Sequence, residues 1–174
     1  MLLTEEELLA LKDHLAEQDY EPIQIDEDVH MMVCDVPVWC KELMLEEVES
    51  RTGKTLSPII LYARYNAPNV DNQFRIHSDG YILGRKVSYA SVFHLTTGDT
   101  GTALFTHPVY GDGSDNEIFT EDDGMWTPTE FFPQEENTMA VYKADRFHSR
   151  WPHQATDDRF VVVGFYEEVS NGKT

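Results

Sequence analysis

Beyond Ser57 the apolar pattern of this chain changes period from 3.6 to 2, and that change limits its possible folds more than any other feature. Upstream the signals are helical. Thr4-Glu5-Glu6-Glu7 reads as a capping box, with Thr4 as N-cap and Glu7 reaching back to it. Leu8, Leu11 and Leu15 then fall on one face, which predicts an amphipathic helix over 5–18. Asp35-Val36-Pro37 opens a second helix, Asp as cap and Pro in the first turn. Trp39, Leu43 and Glu47 continue its register imperfectly, and Gly53 stops it. Downstream, Ile59–Tyr65 reads as a strand closed by the turn-rich stretch Asn66–Asn72. Further strands are expected at 73–78, 86–95, 102–107, 138–144 and 159–167. The Gly/Asp-rich segment 108–136, with Trp126 and Phe131-Phe132, is too long for a structureless connection, so it is either a lid or hides short strands. Two helices followed by six or more strands with long returns predict a mainly β fold, a β-sandwich or jelly roll flanked by N-terminal helices.

The chain has 174 residues, enough for one core and too few for two ordinary domains. It reads as a single domain over 1–174, with a helical support segment at 1–56 and a β core at 57–167. Its 13 basic and 32 acidic residues give a net charge of −19, which repels phosphate backbones and argues against nucleic acid as a partner. Such an acidic shell favours a basic or neutral partner over an anionic one. The acid is uneven: residues 1–50 carry fifteen acids and two bases, and 101–136 carry nine and none. Residues 51–100 hold three acids and six bases, and 137–174 hold five of each. One reading is a β core carrying a cationic site inside an acidic wrapping; for the acidic segments the plainer reading, ordinary solubility charge or adaptation to salt, is preferred. No apolar run approaches membrane-spanning length, and the start MLLTEEELL lacks the basic region of a signal peptide, so a soluble cytoplasmic protein without a membrane partner is expected. Cys34 and Cys40 are too few for a disulfide framework, and a zinc site would need more ligands nearby.

Chemistry concentrates at three places. In His77-Ser78-Asp79 an extended backbone turns the imidazole and the carboxylate to one side, where both can grip one metal ion. A solvated Ser-Asp-Gly turn is the plainer alternative. Phe147-His148-Ser149 follows the strand 138–144, and Arg159 lies eleven residues beyond His148. Arg159 opens a strand on which it shares a face with Val161, Val163 and Phe165, a costly burial unless an anion meets it. An exposed strand end would avoid that cost. Taken together, two histidines and one carboxylate form the set that holds Fe(II) with three open positions. Those positions suit a bidentate 2-oxo acid and O2, with the Arg159 fork on the far carboxylate.

Arg64-Tyr65 followed by Phe74-Arg75-Ile76-His77-Ser78-Asp79 resembles the R-Y…Y-x-x-H-x-D run of prolyl 4-hydroxylase-like Fe(II)/2-oxoglutarate-dependent dioxygenases, with Phe74 in place of Tyr. Gly101-Thr102-Ala103-Leu104 is similar to the family's G-G-x-L turn, with Thr102 replacing the second glycine. Arg146-Phe147-His148-Ser149 and then Arg159-Phe160-Val161 are similar to its W-H-S…R-x-x-I/V close. The resemblance covers about residues 57–167. It implies a double-stranded β-helix (jelly roll), iron on His77, Asp79 and His148, and 2-oxoglutarate held by Arg159. Tyr65 falls where a tyrosine often bonds the same carboxylate, and His94 at a position that often contacts the co-substrate. Fe(II), 2-oxoglutarate and O2 are the implied cofactors, with ascorbate as an accessory. The implied reaction is hydroxylation of a C–H bond in a peptide, protein or small-molecule substrate, a prolyl residue being the family default. His153 rivals His148 but sits only six residues before Arg159 and lacks the Phe-His-Ser context. His107, His30 and His14 have no motif around them and read as surface or packing residues; Trp126 and Trp151 read as core or pocket wall.

Two other classes compete. A non-catalytic jelly-roll binding or structural module would not bring the triad together. A zinc hydrolase on a similar barrel would leave Arg159 without a co-substrate.

Overall fold

The structure, a computed structural model, describes residues 2–26, 29–70 and 73–169; the side chains of 24–26, 29 and 30 lie outside the description. The last two residues of the expected turn-rich stretch Asn66–Asn72 and the His30 side chain therefore lie outside the described residues. The chain runs α1 (Glu5–Ala16), β1 (Glu21–Asp26), β2 (Val29–Cys34), α2 (Val38–Thr52) and β3 (Leu56–Asn66). Next come β4 (Ile76–His77), β5 (Tyr81–Ile82), β6 (Arg85–Lys86), β7 (Tyr89–His94) and β8 (Gly101–Thr106). It closes with β9 (Ile118–Phe119), β10 (Thr127–Pro133), β11 (Thr138–Lys143), β12 (His148–Trp151) and β13 (Arg159–Glu168).

α1 forms as its cap requires. Glu7 N–H donates to Thr4 Oγ1 at 3.2 Å and Thr4 N–H to Glu7 Oε2 at 2.8 Å, and Leu8, Leu11 and Leu15 are buried. α2 starts differently from expectation. Pro37 is its N-cap with no side-chain bond, while Asp35 pairs with Lys41 at 2.7 Å. Its buried stripe is Cys40, Met44 and Val48, and Trp39 stays 40% exposed. The imperfect register of Trp39, Leu43 and Glu47 was thus one position out of phase with the stripe that packs. Gly53 ends the helix at φ 67°, a conformation glycine adopts without strain.

Two antiparallel sheets face each other as a double-stranded β-helix, the expected fold class. The major sheet has the order β1-β2-β3-β13-β7-β11 and the minor sheet β10-β8-β12-β4-β9. Three clusters fill the layers. The helices lie on the major sheet through Leu11, Leu15, Met44 and Val48 against Ala63, Phe93 and Val162. Between the sheets lie Val92, Leu104, Ala140, Val161 and Val163. Outside the minor sheet, Ile76, Phe105 and Phe147 pack with Phe119, Trp126 and Trp151, so both tryptophans belong to packing.

The segment before residue 57 is more than a helical support, because β1 and β2 extend the major sheet beside β3. Segment 108–136 takes the second alternative and hides strands, β9 on β4 and β10 on β8. Expected strand 73–78 shrinks to β4, and 86–95 divides between β6 and β7. Among the described residues no helix is long and apolar enough to cross a membrane.

Candidate metal and co-substrate site

Period 2 decides which side chains meet between the sheets. On β4, Ile76 is fully buried against Phe147, so His77 points the other way, toward the major sheet. Asp79 follows with its backbone N–H donating to Ala144 O at 2.8 Å, while Ser78 exchanges bonds with Glu117 on its far side. Phe147 is held edge-on by Phe119 and Trp126, which sets His148 facing inward at the start of β12. There His148 pairs directly with His77 across the strands.

The three side chains converge. Asp79 lies 3.2 Å from His148 Nε2 and 3.9 Å from His77 Nε2, the imidazole centroids are 4.3 Å apart, and one ligand atom from each residue lies within 4.8 Å of the others. Two ligands at right angles and about 2.1 Å from one ion stand about 3 Å apart, so the set fits a single cation with only small adjustment. The tautomers also fit. His77 Nδ1 lies 3.3 Å from Arg75 O and His148 Nδ1 2.8 Å from Arg146 O. A carbonyl can only accept, so each Nδ1 carries the hydrogen and each Nε2 offers its lone pair inward. Asp79 Oδ2 is buried without a hydrogen-bond partner despite its closeness to His148, as expected if both atoms are acceptors aimed at one cation.

The electrostatics keep this set ready. Burial, and then the neighbouring His148, push the His77 pKa down to about 4, so the ring is neutral at physiological pH. Its side chain keeps 36% of its surface toward the cavity, so its burial is by enclosing walls rather than by close packing. Burial alone would raise the Asp79 carboxyl, but His148 and His77 outweigh it and hold it below the ordinary carboxylate value.

Below the triad lies a cavity of about 90 Å³, with Val92, Val161, Val163 and Tyr142 in its walls and Arg159 and Thr102 at its far end. Arg159 is 4% exposed; its guanidinium donates to Gly101 O at 3.3 Å and to Thr102 Oγ1 at 3.2 Å. Thr102, where the resemblance expects glycine, thus supplies an acceptor that orients Arg159. Gly101 must remain glycine, since a Cβ there would stand 2.2 Å from Phe132 O.

The structure brings together His77, Asp79, His148 and Arg159 around one cavity, and it places the remaining candidates elsewhere. Tyr65 is corrected: it shares the helix-side face of β3 with Leu61 and Ala63 and meets Phe160 at 6.1 Å between ring centroids. One residue of register sends it away from the site. His94 does not line the cavity; it is fully buried on β7, opposite Val161, with neither ring nitrogen bonded. Burial, and then Arg159, push its pKa down to about 3. His153 packs edge-on between Phe74 and Trp151, each at 4.9 Å, and is not part of the triad. His107 is a packing residue, bonded to Asp123 at 2.9 Å and stacked on Tyr110. Cys34 and Cys40 are buried free thiols. Sequence reasoning missed Tyr62 and Arg64, which face the cavity from β3, as well as Thr102 and Tyr142. The signal for the first two was present: Tyr62, Arg64 and the strand period already share a face.

No family model matches the sequence, and no curated protein matches it significantly. Solved structures do. The non-heme alpha-ketoglutarate-dependent carbocyclase SnoK of nogalamycin biosynthesis superposes with a TM-score of 0.67 at 16% identity, over 96% of this chain and 77% of SnoK. HygX of Streptomyces hygroscopicus, with nickel and 2-oxoglutarate bound, gives 0.59 at 9% identity, over 97% and 81%. A Pseudomonas putida prolyl-4-hydroxylase gives 0.55 at 11% identity, over 97% and 89%. At such identities the likeness is one of fold.

Proposed function

We propose that this protein is an Fe(II)- and 2-oxoglutarate-dependent oxygenase that oxidises a C–H bond of its substrate. The observation that carries the reading is the convergence of His77, Asp79 and His148 on a cavity that the buried Arg159 also lines. Two structures of the same fold, HygX with nickel and 2-oxoglutarate and SnoN with Fe3+ and alpha ketoglutarate, support it. Together, bound iron and 2-oxoglutarate would supply the oxidising power, through decarboxylation of the co-substrate by O2.

The chain's own residues do the rest. His77 and His148 present Nε2 lone pairs fixed by their backbone-bonded Nδ1–H groups, and Asp79 adds the negative oxygen. Arg159, oriented by Thr102 and Gly101, would fork onto the far carboxylate of 2-oxoglutarate. Val92, Val161 and Val163 keep water from that end. Burial raises the Tyr142 hydroxyl well above its ordinary pKa, so it stays protonated and able to donate. A zinc hydrolase or a binding module gives Arg159 no such role. Prolyl hydroxylation is one member of this class, as are the ring closure and epimerisation named for SnoK and SnoN.

Anaerobic titration of Fe(II) with 2-oxoglutarate tests the reading. The weak visible charge-transfer band of the chelate is expected in the wild type, and absent or weakened in His77→Ala and Arg159→Ala. No band from the intact protein sinks the proposal.

A further inference from the structure

Tyr65, turned away from the triad, stands in a row of its own. Met32 on β2, Tyr65 on β3 and Phe160 on β13 are direct cross-strand neighbours, paired as Met32↔Tyr65 and Phe160↔Tyr65. Tyr20, between α1 and β1, closes the row. Its hydroxyl donates to Leu15 O in the last turn of α1 at 3.0 Å, and its ring meets Phe160 at 6.4 Å between centroids. These four side chains line a cavity of about 280 Å³ on the helix side of the major sheet, where Met32 is 37% exposed. Arg64 and Arg159, each one residue before Tyr65 and Phe160, line the triad cavity on the opposite face.

The ring angles make this cavity a box. Tyr65 stands at 83° to Phe160 and Tyr20 at 56°, so the rings are walls at wide angles rather than a stack that covers its own faces. A ring face carries the negative lobe of the quadrupole, and a cation within about 6 Å of the centroid is held by it. Met32 adds a polarizable thioether. The chemistry of the walls selects the kind of cation. A metal ion or a bare ammonium gives up strongly held water and needs hydrogen-bond acceptors in exchange, which ring faces do not supply. A trimethylammonium group spreads its charge over methyls, holds water weakly and buries apolar surface as it binds. The surroundings select the sign. Glu17, Asp19 and Glu21, on either side of Tyr20, are exposed, and the first fifty residues hold fifteen acids against two bases, so the local field draws a cation in. The volume, at the small end for a ligand pocket, suits a head group.

We propose that Tyr20, Tyr65 and Phe160, with Met32, form a binding site for the trimethylammonium group of a small organic cation. Three of its walls are fixed by the ladder of the major sheet, and the fourth by the bond from the Tyr20 hydroxyl to α1. The site needs neither metal nor 2-oxoglutarate, so it stands independently of the oxygenase reading. A neutral molecule of the same shape gains only the burial of its methyl groups there, and binds more weakly.

The test titrates the metal-free chain with choline and with its neutral isostere 3,3-dimethylbutan-1-ol, at an ionic strength fixed with sodium chloride. The choline methyl signal and the aromatic signals of the protein are followed by NMR. Saturable binding of choline at roughly 1–10 mM is expected, with its methyl protons shifted upfield by the rings, and the isostere should bind about fivefold or more weakly. Tyr65→Leu, which keeps apolar bulk and removes one ring, should weaken choline about tenfold, whereas Tyr20→Phe, which keeps the ring, should stay within about threefold. Should Tyr65→Leu fail to fold by circular dichroism, Tyr20→Leu takes its place with the same expected loss. No saturation up to about 100 mM choline overturns the inference, since that is too weak for three converging ring faces. Equal affinity for the isostere overturns it as well, by making the cavity a plain apolar one. Ring signals that shift when the protein alone is concentrated also overturn it, by assigning the face to contact between two copies.

Discussion

The two sheets that enclose the site are built very differently. β3 and β13 pair over ten positions of the major sheet, from Arg159↔Asn66 to Glu168↔Leu56, with helices covering their outer face. In the minor sheet, β4 is two residues long and meets β12 through a single pair, His148↔His77. Yet the three proposed metal ligands sit on or beside these short strands, while the major sheet carries Arg159, the arginine proposed for the co-substrate. A long ladder can hold a buried cation among valines because its own pairing does not depend on that residue. A two-residue strand cannot position a ligand by itself. It does so through what lies behind it: Ile76 and Phe147 in the aromatic cluster, the Ser78–Glu117 bonds, and Asp79 N–H on Ala144 O.

The largest expected effect lies on the minor sheet. His77→Ala or Asp79→Ala should weaken Fe(II) binding about a thousandfold or more, by titration calorimetry, with little change in thermal unfolding of the metal-free protein. A large loss of stability in these variants would mean that the triad holds β4 and β12 together, and would erase the contrast. Next comes the major sheet. Arg159→Leu should cost 2-oxoglutarate affinity about 100- to 1000-fold while Fe(II) affinity alone moves only a few-fold, and Arg159→Lys should recover part of the loss.

Stability should follow the reverse order. Val162→Ala, fully buried between β13 and the helices, is expected to cost about 1–3 kcal/mol by urea denaturation. Ile118→Ala on β9, where the side chain is 61% exposed, should stay within about 0.5 kcal/mol. Equal costs would show that the short sheet is as well packed as the long one.

A pH series gives a finer comparison. His94 has a folded pKa pushed from 6.5 down to about 3, so below pH 6.5 the unfolded chain binds a proton that the folded chain refuses. Its contribution is fully present above pH 6.5 and is lost as pH falls from there toward 3, with a slope of about 1.4 kcal/mol per pH unit. Replacing it, as His94→Gln, should remove one proton's worth of slope between pH 6 and 4. An unchanged slope would show that Arg159 and burial do not keep the ring neutral.

Much of this architecture was legible before folding. The Thr4–Glu7 box, the Leu8/Leu11/Leu15 face, the Gly53 stop and the strand beginning at Arg159 follow from local rules of capping and alternation. His77, Asp79, His148 and Arg159 could be named because H-x-D, a second His and a following Arg stand in the order of a known family's motifs. The errors were errors of phase and of partner. Tyr65 differs from Arg64 by one residue, which on a strand is the whole difference between the helix side and the cavity. β1 and β2 were missed because their signal depends on the edge of β3 that they cover. β9 and β10 hid in a polar segment because edge strands need few apolar residues.

What the sequence determined by itself was therefore the set of elements whose signals are local, together with the residue types able to bind a cation and an anion. The tertiary structure alone decided that residues 77 and 148 would stand opposite one another, that Arg64 rather than Tyr65 would face the site, and that Tyr65 would meet Met32 and Phe160 across three strands. The reason is physical: each is a question of register between distant strands. Burial of apolar faces settles that register only when both sheets are assembled.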